Sequence, residues 1–137
     1  VRANSVWVFM DMRKTRPVKI DAEIANAYQV HERLEMEYPD RKLQDFETDR
    51  QEPPFQIPRY FIDTNHHVNN AKYILLAEEL LPENFQAARV RVEYKKPAMY
   101  GDLLYPYIQD YADHQAVKFS DPEGKPYVLM EFYPENK

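Results

Sequence analysis

Apolar and polar positions follow two different periods along this chain, and the change of period divides it into elements. Val6-Trp7-Val8-Phe9-Met10 is a short, β-rich apolar run and predicts a buried strand. Asp11-Met12-Arg13-Lys14-Thr15-Arg16-Pro17 reads as a polar turn, with Pro17-Val18-Lys19-Ile20 as an extended return. Asp21 is placed to cap a helix over 22–34, where Ile24, Tyr28, His31 and Leu34 fall near helical spacing. Between 35 and 54 charge rises and periodicity disappears, as in a linker or surface crossing. Phe55 and Ile57 then begin an extended run that ends at Asp63-Thr64-Asn65-His66-His67. Residues 68–81 are strongly helical, and Pro82 stops them. Residues 89–95 alternate polar and apolar, the pattern of a half-buried strand, and further strands are expected near 103–111 and 115–119. The turn Asp121-Pro122-Glu123-Gly124-Lys125 leads into a last strand over 127–132. A helix followed by a run of strands predicts an α+β domain, one helix against a mostly antiparallel sheet.

Composition narrows the function. The chain has 137 residues, the size of one domain. Balanced charge (18 basic, 23 acidic) and plentiful Tyr and Phe argue against disorder. A net charge of −5 argues against general nucleic-acid binding, which needs a basic footprint. With no cysteine there is no disulfide scaffold, no cysteine nucleophile and no thiolate metal site, and cytosolic residence fits. No apolar run approaches the length of a membrane span, and no signal peptide is visible at the start. The opening Val1-Arg2-Ala3 in place of methionine suggests a fragment, with any targeting segment upstream.

The chemistry concentrates just before the helix. Asp63, Asn65 and His67 stand at i, i+2 and i+4, so extended backbone would turn a carboxylate, an amide and an imidazole to one side. In a helix Asn65 would face away, so the site requires a non-helical stretch. The first turn of the following helix, through Val68, Asn69 and Asn70, offers unpaired N–H groups and the positive end of the macrodipole. There the developing oxyanion of an attacked carbonyl would be stabilised, by ~3 kcal/mol per well-placed donor. Asp63 or His67 could take the proton of an attacking water, and Asn65 could orient the water or the carbonyl. The plainer reading is that Asp63, Thr64, Asn65, Asn69 and Asn70 only cap the helix and its loop. A metal site at Asp63, His66 and His67 is disfavoured, because adjacent histidines rarely face one ion. No cofactor is implied.

The string Asp63-x-Asn65-x-His67-Val68-Asn69-Asn70-x-Lys72-Tyr73 resembles the active-site signature of the acyl-ACP thioesterases. The likeness extends to residues 4–18, which look like the closing strands of that family's first hotdog domain. It also takes in Val92-Glu93-Tyr94-Lys95-Lys96 and Tyr100-Gly101-Asp102, which look like the strand and turn after the central helix. The resemblance implies an α+β hotdog fold, a long helix wrapped by an antiparallel sheet. It divides the chain into 1–20 (remnant of an N-terminal hotdog), 21–52 (interdomain helix and linker) and 53–137 (C-terminal hotdog). It implies hydrolysis of the thioester of fatty acyl-ACP, ending chain elongation, with acyl carrier protein as partner and Asp63, Asn65 and His67 as catalytic residues. A cytoplasmic location in a bacterial relative follows, with a plastid one left open. Most of the first hotdog, which supplies much of the acyl pocket in the family, would be missing. That leaves open that the isolated fragment is inactive, and exposed edges predict a homodimer.

One departure stands out. After the Glu-Tyr-basic-basic strand, plant members continue with Glu-Cys, and that Glu is implicated in catalysis; here the positions are Pro97 and Ala98. Glu93 matches a different family position and is not a replacement. Arg89, Arg91, Lys95 and Lys96 could steer an acidic carrier protein, although such residues are more often the solvated face of a strand. Two alternatives remain at this point: a hotdog thioesterase acting on acyl-CoA, and a non-catalytic acyl-ACP binding module.

Overall fold

The structure is a computed structural model and describes residues 3–11, 13, 14, 16–28 and 31–135. It divides into two compact units, Val1–Tyr38 and Pro39–Lys137. In the first, β1 (Met10–Asp11) pairs antiparallel with β2 (Arg16–Pro17), and Asp11 Oδ1 accepts the amides of Arg13 and Lys14 in the turn between them. Met12 and Thr15, within the turn expected over 11–17, lie outside the described residues. The buried strand expected at 6–10 is not formed: Val6 to Phe9 are irregular and exposed, Trp7 by 84%. A two-residue ladder gives that run no sheet within its unit to pack against.

The helix expected over 22–34 is also shorter. α1 covers Ala22–Asn26, Asp21 makes no side-chain cap, and 31–34 are irregular; Gln29 and Val30 lie outside the described residues. No residue of α1 is buried, and a helix of this length has little stability without an apolar face packed on something.

The second unit carries a five-stranded antiparallel sheet in the order β3-β5-β6-β7-β4. Its strands are β3 (Phe55–Gln56), β4 (Ala87–Tyr94), β5 (Leu103–Asp110), β6 (Gln115–Ser120) and β7 (Pro126–Pro134). The helix α2 (Asn70–Glu78) packs on one face. There Val117, Phe119, Val128, Met130 and Phe132 meet Tyr73 and Ala77 in a single core. Between β3 and α2 the extended run gives way to a 3-10 turn, Arg59–Phe61. The hairpin joining β6 to β7 closes through Gly124 at φ +78, a left-handed conformation that glycine adopts without strain. Asp121 Oδ1 accepts the amides of Glu123 and Lys125 in the same turn.

β6 is buried from Ala116 to Ser120 and β7 from Tyr127 to Met130 without alternation, because the opposite face of the sheet is covered too. Residues 39–52 run across it as a strap. Leu43 N donates to Glu93 Oε2 at 2.7 Å, beginning at β4. Lys118 Nζ on β6 then donates to Asp45 Oδ1 and the Phe46 carbonyl. Thr48 Oγ1 donates to the Ile108 carbonyl, and Ile108 N to the Arg50 carbonyl, so the strap ends along β5. Leu43 and Phe46 are buried by this crossing. Lys118 itself is 8% exposed, and a charge so enclosed needs the oxygens that the strap supplies.

Candidate active site

The signature residues form a tight turn between β3 and α2. Ile62 and Val68 form an antiparallel bridge, and between them Asp63 N donates to the His67 carbonyl at 2.8 Å. Asp63 Oδ1 accepts the Asn65 amide at 2.8 Å and lies 3.4 Å from the His67 amide. His66 takes φ +63, which lets the chain reverse; histidine is one of the few side chains found there with some frequency. The turn is stitched to its surroundings by Val68 N to the Ala98 carbonyl (2.9 Å) and Asn69 N to the Phe61 carbonyl (2.8 Å). Asn69 is the N-cap of α2, its side chain accepting the Ala71 amide at 2.9 Å.

This turn brings Asp63, Asn65 and His67 to one cavity of about 330 Å³, together with Val68 and Asn70. The stretch is non-helical, as the chemistry requires, but it converges by a closed turn and not by strand alternation. Asp63 Oδ2 and both ring nitrogens of His67 have no hydrogen-bond partner among the described residues, and both side chains belong to residues of the lining. His66 is exposed and does not line it. Asn69 does not line it either, its side-chain oxygen being occupied by the cap. Of the first-turn amides, Ala71 N–H goes to Asn69 Oδ1 and Lys72 N–H to the Asn69 carbonyl. Asn70 N–H has no acceptor among the described residues. The first-turn amide left without an acceptor is therefore that of Asn70, a residue of the cavity lining.

Tyr73, Tyr94, Lys95, Lys96 and Pro97 complete the lining. Burial pushes the Tyr73 phenol up to about 12, and burial likewise raises Tyr94. The Tyr94 hydroxyl donates to the Asn70 carbonyl at 3.1 Å and so ties β4 to the helix start. Lys95 is drawn to Glu93 Oε1 at 2.8 Å. Burial would raise the Glu93 carboxyl, but hydrogen bonds from Lys95 and the Leu43 amide outweigh it and hold it below its usual value. Lys96 pairs with Asp121 and lies 4.5 Å from the centroid of the Tyr127 ring. Sequence reasoning did not put Tyr73, Tyr94 or these lysines in the site. The signal for Tyr73 and Asn70 was their i, i+3 spacing, which sets both on one face of α2.

The Lys96–Asp121 pair joins the cavity wall to the β6–β7 hairpin and makes stability depend on pH. Burial would raise the Asp121 carboxyl, but Lys96 and the Lys125 and Glu123 amides prevail and lower it. A group depressed on folding stabilises the fold above its unfolded value, about 3.9, and loses that contribution as pH falls through the folded value. Urea midpoints measured from pH 7 down to about pH 1.5, which takes in most of the roughly pH 5 to 1 span over which such a depressed carboxyl loses its contribution, should fall on acidification. Asp121→Asn should start lower at neutral pH and flatten that fall, and a slope unchanged by the substitution would exclude this origin.

The profile of the acyl-ACP thioesterase C-terminal domain matches residues 43–121. The chain belongs to this family. Among solved structures it is similar to an acyl-ACP thioesterase from Bacteroides thetaiotaomicron, with a TM-score of 0.77 at 18% identity, over 92% of this chain and 53% of that one. It is also similar to the 12:0-ACP thioesterase from Umbellularia californica, with a TM-score of 0.71 at 20% identity, over 93% and 53% of the two chains. A thioesterase from Thermus thermophilus, solved with coenzyme A and zinc, matches 64% of this chain with a TM-score of 0.52 at 16% identity, and 85% of its own length is covered. No curated protein sequence matches. The chain thus spans about half the length of the two acyl-ACP thioesterases. These likenesses agree with the five-stranded sheet and its helix on an α+β hotdog fold. Among the described residues no group of three or more His, Cys, Asp or Glu could hold a metal, and no helix is long and apolar enough to cross a membrane.

Proposed function

We propose that this protein hydrolyses the thioester of fatty acyl-ACP, releasing the free fatty acid and ending chain elongation. The observation that carries this reading is the shared cavity of Asp63, Asn65, His67 and Asn70, with the free Asn70 amide at its helix edge. Asp63 or His67 takes a proton from water, whose oxygen attacks the thioester carbon. The carbonyl oxygen becomes an oxyanion facing the Asn70 N–H and the positive end of α2. Asn65 holds the water or the carbonyl. Collapse breaks the carbon–sulfur bond, and the leaving thiolate of the carrier's arm takes up the proton. Val68, buried at the turn's exit, holds the helix start against the Ala98 carbonyl. Asn69 serves the site by capping α2. No cofactor or metal enters this scheme.

The intact protein, as its gene encodes it, should hydrolyse acyl-ACP across a series of chain lengths and act more slowly on the matching acyl-CoA. Preference for acyl-CoA would move the substrate to the coenzyme. Binding of acyl-ACP without turnover would favour a binding module, the reading supported by Pro97 in the cavity wall where plant relatives carry Glu. Since the substrate's carrier is a cytoplasmic protein in bacteria, the same proposal puts this protein in the bacterial cytoplasm.

The family resemblance also supports a division into 1–20 as the close of a first hotdog, 21–52 as the crossing between hotdogs, and 53–137 as the second. On this reading the 137-residue chain by itself forms a homodimer. β4 supports it: it is an edge strand of the sheet, with Val90 38% exposed, and an open edge pairs readily. Light scattering of the 137-residue chain should give twice its 16.4 kDa mass, and a monomer at working concentration would count against the reading.

A further inference from the structure

Tyr73 lies in the cavity wall and is only 2% exposed. Its ring is held between Tyr94, with centroids 6.0 Å apart, and Phe119, at 6.3 Å. The hydroxyl oxygen accepts the Ala98 amide at 3.3 Å, but the hydroxyl proton has no acceptor among the described residues. Leaving a buried donor unpaired is costly, so a donor in a cavity wall is completed by whatever fills the cavity. Of its neighbours in that wall, Tyr94 gives its hydroxyl to the Asn70 carbonyl, and Lys95 and Lys96 are drawn to Glu93 and Asp121. Pro97 has no N–H to offer. Tyr73 also shares a helix face with Asn70, whose amide is the free donor at the helix edge.

We propose that the Tyr73 hydroxyl donates a hydrogen bond to the thioester carbonyl oxygen and, with Asn70 N–H, completes the oxyanion site. This rests on the hydrolytic function proposed above. The high phenol pKa keeps the proton in place across the working pH range, so the group acts as donor and not as base. The Ala98 amide, by holding the oxygen, leaves only the proton free to turn toward the substrate.

The test compares Tyr73→Phe with the intact wild-type protein on acyl-ACP. The ring and its packing remain, and kcat should fall roughly 10²-fold, the usual loss for one oxyanion donor, while KM stays near wild type. Because Tyr73→Phe also strips the Ala98 amide of its acceptor, a second variant separates the roles. A ring-difluorinated tyrosine at 73 ionises at lower pH, and its phenolate still accepts from Ala98 but no longer donates. The groups facing Tyr73 are Tyr94, Asp102 and Tyr127, and Asp63, His67, Lys95 and Lys96 share the cavity; their own titration is present in the wild type recorded alongside. The fluorinated protein should lose kcat on the alkaline side where the wild type stays level. Unchanged kcat in Tyr73→Phe, or an alkaline profile identical to wild type in the fluorinated protein, would overturn the inference alone. A wild type that does not hydrolyse acyl-ACP would overturn the functional reading and this one with it.

Discussion

Asp63→Asn should abolish most turnover while leaving the fold intact. The substitution keeps an oxygen where Oδ1 accepts the Asn65 and His67 amides, so the turn over 63–67 survives. What it removes is the carboxylate's charge and the basicity of Oδ2, which has no partner among the described residues. Loss of a positioned acid or base typically costs ~10²–10⁴-fold in rate, and kcat is expected to fall in that range. His67→Ala should lose a similar factor. If the two act on one water, the double variant should be little worse than the poorer single one, since groups that work as a unit are not additive. Circular dichroism and the urea midpoint should both stay near wild type for Asp63→Asn. Near-normal hydrolysis by Asp63→Asn would remove Asp63 from the chemistry and leave it as the turn's cap, the plainer role its two backbone hydrogen bonds already give it.

The largest loss of stability is expected from Phe119→Ala. Phe119 is fully buried on β6 and packs edge-on against Phe55 at 6.4 Å and tilted against Tyr73 at 6.3 Å. It therefore joins the short edge strand, the central sheet and the helix that positions the site. Truncating a buried Phe to Ala typically costs about 3–5 kcal/mol, through lost burial and the cavity left behind. A urea or guanidinium midpoint should drop accordingly, and activity should fall with it because Tyr73 loses its support. Val90→Ala on the exposed edge is the control, expected to stay within about 0.5 kcal/mol. A Phe119→Ala protein as stable as that control would mean α2 is not held through this residue.

The sheet was readable from the chain because its strands obey local rules. The alternation at 89–95, the turn residues at 121–125 and the apolar run at 127–132 appear as β4, the hairpin and β7, displaced by only a few positions at the ends. The helix expected over 68–81 is α2, trimmed at both ends by the Asn69 cap and by looser turns before Pro82. The first unit was misread for a physical reason. Residues 6–10 and 22–34 carry a good local pattern, but pattern becomes strand or helix only when an apolar face is buried, and none is among the described residues of that unit.

The candidate site divides in the same way. Residue types and spacing at Asp63, Asn65, His67 and the helix start were enough to point to the residues that line one cavity, since their chemistry is local. That these side chains meet through a turn closed by Asp63 and reversed at His66 depended on backbone hydrogen bonds that no periodicity encodes. Asn70 as the free donor emerged only once Asn69 had claimed the Ala71 amide. Tyr73, Lys95, Lys96 and Pro97 entered the wall because Ala98 pairs with Val68 and with the Tyr73 hydroxyl across some thirty and twenty-five positions of chain. Sequence by itself determined the family signature, the central helix and the strands of the second unit's sheet, because there the short-range pattern also has a face to bury. Tertiary structure alone decided the cavity, its second wall and the strap over the sheet, because each is made by residues brought together from distant positions to satisfy buried polar groups.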